Sequence, residues 1–158
     1  MLKKHLFNFS IVILIFIIDR ISKLLAINFL DTYGEYGFRV TSFLNFNLIW
    51  NEGIAFGLFS FDEKLYYNFL TIIIILVTAI ILWMIIKTKG LEKIAFLMIF
   101  GGSLGNIFDR LVYASVPDFI DLHFNNFNWF IFNVADIFIS MGVILLIYFE
   151  FFKKKINE

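Results

Sequence analysis

Apolar residues in this chain gather into four long blocks separated by short polar stretches. Crossing a bilayer as a helix takes about 20 mostly apolar residues. The plainest block runs from Leu65 to Ile86, carries no charge and is bounded by Lys64 and Lys87. A second covers about 91–112 and is rich in glycine, at Gly101, Gly102 and Gly105; a third covers about 130–152. The first block, about 6–30, is apolar up to Ile18 and is then broken by Asp19, Arg20 and Lys23. A charged start and a short apolar core also describe a cleaved signal peptide. No small-x-small site follows, however, and large residues continue, so a retained span is predicted.

The connection over about 31–64 is long, contains Gly34, Gly37, Gly53 and Gly57, and includes the β-favouring run Phe38-Arg39-Val40. It reads as a small strand-containing cap lying on the membrane. With no internal repeat and no linker, residues 1–158 read as one integral membrane domain. The predicted fold class is all-α, four transmembrane helices with that cap outside the cytoplasm.

Lysine and arginine placement sets orientation. Lys3 and Lys4 precede the first block, Lys87, Lys89 and Lys93 separate the second and third, and Lys153, Lys154 and Lys155 follow the fourth. Eight of the thirteen basic residues therefore fall on one side. Both termini are predicted to be cytoplasmic, with the 31–64 and 113–129 connections external. The last three lysines read as topology determinants, with contact to anionic lipid a lesser use.

Composition agrees with a lipid-facing surface. The chain is 61% hydrophobic and 16% charged, with a mean hydropathy of +0.88, whereas soluble domains carry about a quarter charged residues. Formal net charge is zero, so no basic field points to nucleic acid. The absence of cysteine removes disulfides, thiolate metal sites and a thiol nucleophile together. Only His5 and His123 are present, which argues against a multi-histidine metal site. No metal or cofactor is expected, and chemistry falls to carboxylates, amides, hydroxyls, Lys and Arg.

Ionisable groups inside spans are costly and point to function. At about 1.5 Å per helical residue, Asp19 lies roughly 22 Å beyond Lys4, Asp109 roughly 24 Å beyond Lys93, and Asp136 roughly 26 Å before Lys153. Three helices thus put a carboxylate in one layer, toward the external edge, with Arg20 and Arg110 beside them. Snorkelling interfacial caps would explain single residues of this kind. They explain less well the carboxamides in the same layer: Asn106 three residues before Asp109, and Asn133 three before Asp136, on shared helix faces.

Five short segments, in order, resemble the lipoprotein signal peptidases (signal peptidase II), a family of membrane aspartyl proteases. They are Asp19-Arg20-Ile21-Ser22-Lys23, Asn51-Glu52-Gly53-Ile54-Ala55-Phe56-Gly57, the run Gly101-Gly102-Ser103-Leu104-Gly105-Asn106-Ile107-Phe108-Asp109-Arg110, then Val116-Pro117-Asp118-Phe119, and Phe132-Asn133-Val134-Ala135-Asp136. The matching frame spans nearly the whole chain. Two departures are Arg20, where the family usually shows Gln, and Pro117, often β-branched in relatives. The resemblance implies a catalytic pair at Asp118 and Asp136. It implies support or substrate contact from Asp19, Lys23, Asn51, Gly53, Asn106, Asp109, Arg110 and Asn133. It further implies a prolipoprotein substrate carrying a diacylglyceryl group on a cysteine, cut just before that cysteine, in a bacterial inner membrane.

Peptide hydrolysis without serine, cysteine or metal needs an activated water and an acid for the leaving amine. Two neighbouring carboxyls sharing a proton supply both. On spacing alone Asp118 also reads as an exposed loop acid, and Asp136 as a helix-start charge favoured by the dipole. Pro117 fixes a φ angle next to Asp118. Gly53 and Gly57 suit either a plain turn or a loop contacting an extended peptide. Trp50, Phe56, Phe59 and Phe61 suit either interfacial anchoring or burial of the lipid. A Ser/Lys hydrolase is disfavoured, because Ser22 and Lys23 are sequence neighbours and face different ways on a helix. Two other functions compete: a small proton-coupled transporter, which favours midplane charges and repeats, and a non-catalytic assembly subunit whose polar layer only joins helices. Membrane lipid is the expected surrounding partner, and a monomer is expected.

Overall fold

The computed structural model describes residues 2–33, 37–53, 63–124 and 127–157. Its helices are α1 (Leu2–Tyr33), α2 (Glu63–Lys87), α3 (Leu91–Tyr113) and α4 (Val134–Asn157). Its strands are β1 (Phe38–Arg39) and β2 (Leu44–Asn51), between α1 and α2, and β3 (Val116–Phe124) and β4 (Phe127–Phe132), between α3 and α4. Both connections predicted to lie outside the membrane therefore build one antiparallel sheet, in the order β1-β2-β3-β4.

Among the described residues, three helices are long and apolar enough to cross a membrane: Leu65–Lys87, Leu91–Tyr113 and Val134–Phe152. Helix α1, with Asp19, Arg20 and Lys23 in its middle, is not one of them. Its 32 residues span about 48 Å. Its buried positions, Val12, Ile15, Asp19, Lys23, Ala26 and Leu30, recur every three or four residues and draw one stripe down one face. The remaining faces of α1 and most of α2 expose large apolar side chains such as Leu14, Leu25, Phe69, Leu76 and Trp83.

Helix α3 is the centre of the bundle, packed most extensively on α4 and then on α1 and α2. Glycine makes the approach possible: a Cβ at Gly102 would stand 2.5 Å from the carbonyl oxygen of Ala135, and one at Gly105 would run into the Asp19 carboxylate. The helix ends at Ala114, whose φ of 54° and ψ of 21° turn the chain into the left-handed region and send it into β3. Asp118 follows four residues later.

Two boundaries differ from the sequence reading. The last helix begins at Val134, not near residue 130, because Phe127–Phe132 pair with β3 as a strand. Short apolar runs are ambiguous between helix and strand, and pairing decided this one. Asp118 lies in a strand rather than a loop, for the same reason: β2 supplies it with a partner.

Candidate active site

Strand β3 carries Asp118 opposite Ile49 of β2, and Asn51 lies opposite Val116. Asn51 and Asp118 are thus diagonal neighbours on one face of the pair. The register shifts between Phe46 and Ile49, where β2 holds an extra residue, a bulge that re-aims the end of the strand toward Asp118. Pro117 pairs with Trp50 on one side, while the β4 pairing is recorded only from Ile120 onward, so its missing N–H costs no ladder bond to β4. Trp50 in turn packs edge-on against Tyr113, ring centroids 5.6 Å apart.

Helix α4 starts with a reciprocal cap. The Asp136 N–H donates to Asn133 Oδ1 at 3.2 Å, and the Asn133 N–H donates to Asp136 Oδ2 at 3.1 Å. This is the capping-box arrangement, with Asn at the cap and Asp three residues on. Asn133 is therefore not stacked on a helix face with Asp136; it stands just before the helix and holds the same carboxylate from outside. Its free Nδ2 donates to Asp118 Oδ1 at 2.6 Å. One buried asparagine thereby touches both acids.

Three amides share a single logic. Asn51 Oδ1 accepts from the Gly53 N–H at 2.7 Å, leaving Nδ2 to donate to Asp118 Oδ2 at 2.8 Å. Asn133 Oδ1 is held by the Asp136 N–H. Asn106 Oδ1 accepts from Lys23 Nζ at 2.8 Å, leaving Nδ2 to donate to Asp136 Oδ1 at 2.8 Å. Because each carbonyl oxygen is already occupied by a donor, each NH2 faces a carboxylate. Gly53 adopts a φ of 78°, the left-handed backbone this turn needs.

Behind Asp136 lies a buried charge cluster. Asp19, Lys23 and Asp109 are each at most 1% exposed. The three N–H groups of Lys23 are used in full, on Asp19 at 3.0 Å, Asn106 at 2.8 Å and Asp109 at 2.7 Å. Asp19 also accepts the Ala135 N–H at 3.0 Å, so an acid from α1 caps the first turn of α4. Asn106 and Asp109 converge on Lys23 from one face of α3, as their spacing predicts.

Arg110 is set apart from the other expected site residues. Its guanidinium donates to the carbonyl oxygen of Asn106 at 3.2 Å, and its own carbonyl accepts from Tyr67 of α2. Trp50 is 42% exposed, whereas Phe56, Phe59, Phe61 and Gly57 lie outside the described residues. Ser22 donates to the Asp19 carbonyl within its own helix, a role unrelated to nucleophilic attack. Sequence reasoning missed an apolar groove of about 390 Å³ between α1 and the sheet, lined by Leu25, Ala26, Phe29, Phe38, Phe46 and Phe119. Its residues come from three distant segments, and no local pattern joins them.

The Asp118 carboxyl, 4% exposed, has its pKa raised above the ordinary carboxylate value. Burial is the main cause and the charge of Asp136 adds to it; the amide donors of Asn51 and Asn133 and the charge of Lys23 act in the opposite direction. An acid whose neutral form burial favours, beside a second, hydrogen-bonded carboxylate, has what is needed to give and take protons in turn.

Comparison with known proteins places the chain in a family. Residues 11–152 match the family model described as signal peptidase (SPase) II. The chain belongs to the signal peptidase II family. It is 48% identical to a lipoprotein signal peptidase of Pelagibacter ubique, over 99% of this chain and 96% of that one. A lipoprotein signal peptidase of Thermodesulfovibrio yellowstonii is 43% identical, over 87% of this chain and 89% of the relative. Two solved structures, each described as a bacterial membrane enzyme, superpose with TM-scores of 0.73 and 0.75 at 29% and 30% identity. They cover 96% and 89% of this chain and 90% of each of theirs. Membership makes the chain a membrane hydrolase of the aspartic protease type, and the transporter alternative finds no support. An aspartic mechanism requires two carboxyls within reach of one water.

Proposed function

We propose that this chain removes signal peptides from diacylglyceryl-modified prolipoproteins, cutting before the lipidated cysteine with a water activated between Asp118 and Asp136. The observation that carries the reading is the double role of Asn133, which hydrogen-bonds Asp118 and caps against Asp136. Two carboxyls gathered on one asparagine repel each other when both are ionised, and in this reading the pair shares one proton. The ionised carboxylate takes a proton from the water as it attacks the scissile carbonyl. The protonated one hydrogen-bonds the carbonyl oxygen and later protonates the leaving amine.

In this reading Asn51, Asn106 and Asn133 orient the acids, with Gly53 holding Asn51. Asp19, Lys23 and Asp109 anchor the start of α4, and Arg110 meets substrate backbone at the mouth. The apolar groove beside Phe119 suits an acyl chain of the substrate. Residues 1–158 form one domain, with α1 as a fourth span whose charges are neutralised within the bundle. Both termini face the cytoplasm, the sheet lies at the extracytoplasmic face of the inner membrane, and the protein works as a monomer.

The test is in vitro processing of a diacylglyceryl-modified precursor by purified protein, with an unlipidated control. Asp118→Asn and Asp136→Asn are each expected to abolish cleavage, at least about 10³-fold, while the protein stays inserted and folded. Retained cleavage in either variant removes the catalytic assignment.

A further inference from the structure

Among the described residues, α1 and α2 both pack on α3 but hardly on each other, and a cleft of about 400 Å³ opens between them. Its floor is formed by Val12, Ile85 and Leu97, one buried residue from each helix. Phe9 and Leu82 stand at its rims, 64% and 44% exposed, so the cleft is open to the side. Along α3 it runs from Lys93 to Leu104, roughly 16 Å of helix. One leaflet of hydrocarbon is about 15 Å deep, half of a core of about 30 Å. The cleft is thus as long as the layer that a single acyl chain crosses.

Its mouth, at the end of the bundle away from the sheet, is polar and positive. There it adjoins a second pocket of about 320 Å³, which shares Asn8, Ile86 and Lys93 and adds Thr88 and Lys89. Lys93 is half-buried and Lys89 exposed. Every ion pair among the described residues lies around Asp19 and Asp109, so neither lysine has a carboxylate partner. Glu92 and Glu150 open onto a different cleft, beside Leu146 and Ile147 of α4.

Any lipid-facing helix meets acyl chains. A slot one leaflet deep that ends on two unpaired cations selects a chain joined to an anion. We propose that this cleft binds one anionic phospholipid from the leaflet opposite the sheet, with an acyl chain between α1 and α2 and the phosphate on Lys89 and Lys93. The lipid fills the gap between the two helices and ties them together. Such binding is independent of the cleavage reading, because the cleft lies at the other end of the bundle from Asp118 and Asp136.

The test uses the full chain purified in neutral detergent, titrated with phosphatidylglycerol or with phosphatidylcholine of the same chains. Phosphatidylglycerol is expected to raise the unfolding temperature by about 5 °C or more at saturation, and to stay bound one per chain in native mass spectra. Equal shifts from the two lipids overturn the proposal. Glycerol phosphate, which has the anion without the chains, is expected to give no shift; a shift as large as that of the lipid overturns it. Lys89→Gln with Lys93→Gln is expected to weaken phosphatidylglycerol about 30-fold, and Lys153→Gln with Lys154→Gln to leave it within about 2-fold. Both pairs remove the same charge, so equal weakening means diffuse attraction and overturns the site, as does wild-type affinity in the first pair. Ile13→Trp fills the slot from α1 without touching a charge and is expected to abolish the shift. A wild-type shift in that variant overturns the placing of the chain.

Discussion

Each catalytic carboxyl in the proposed pair accepts two hydrogen bonds, and most of the donors are asparagine amides whose other end is already fixed. Asn51 shows what this does. Its Nδ2 donates to Asp118 and favours the ionised form, against the burial that favours the neutral one. Asn51→Ala removes that donor, so Asp118 holds its proton to higher pH. The acid limb of the pH–rate profile is expected to move upward, and activity at neutral pH to fall roughly 10-fold, read from cleavage rates across pH. A profile superposable on the wild type would show that Asn51 serves only the turn at Gly53. At this scale the sequence was informative about identity and poor about environment. On spacing alone Asp118 reads as an exposed loop acid, since nothing local announces that β2 will cover it; Asp136 reads as a helix-start charge, but only the structure shows Asn133 capping it from outside the helix.

At the scale of elements, α3 and α4 meet where glycine removes the side chain. A methyl group at Gly102 would press on the Ala135 carbonyl, which is backbone and cannot step aside. Gly102→Ala is expected to destabilise the protein by about 1–3 kcal/mol, measured as thermal unfolding in detergent, and to lower cleavage because Ala135 neighbours Asp136. An unchanged melting temperature would mean the two helices part without cost. The helices themselves follow from apolar block length, and each is found close to its predicted place. The exception is the start of α4. Phe130, Ile131 and Phe132 are as apolar as the helix that follows, and only pairing with β3 makes them strand. The cap strands of 31–64 were legible in their β-favouring residues, whereas the contribution of 113–132 to the same sheet was not, because antiparallel pairing joins segments some 70 residues apart.

For the whole molecule, the outward faces of the long helices are apolar, as a membrane enzyme requires. Helix α2 presents Phe69, Ile72, Ile73, Leu76, Ile80 and Trp83 outward, and the cluster behind Asp136 is sealed within the bundle. Leu76, 58% exposed near the middle of α2, lies far in sequence from every site residue. Leu76→Arg is expected to cost insertion about 3 kcal/mol, seen as a smaller membrane-integrated fraction, while the integrated molecules cleave at the normal rate. A fully inserted variant would place that face against protein or water instead.

The amino-acid order alone determined the apolar blocks, the side on which the basic residues collect, and which residue types had to carry the chemistry, since these depend on composition and on spacing within one segment. Tertiary structure alone decided that Asp118 is a buried strand residue, that Asp19 caps a helix 116 residues away, that Arg20 pairs with Asp109 and that an apolar groove opens beside Phe119. The reason is physical. Burial, charge compensation and the direction of a carboxamide are properties of what surrounds a side chain, and those surroundings exist only once distant segments have packed together.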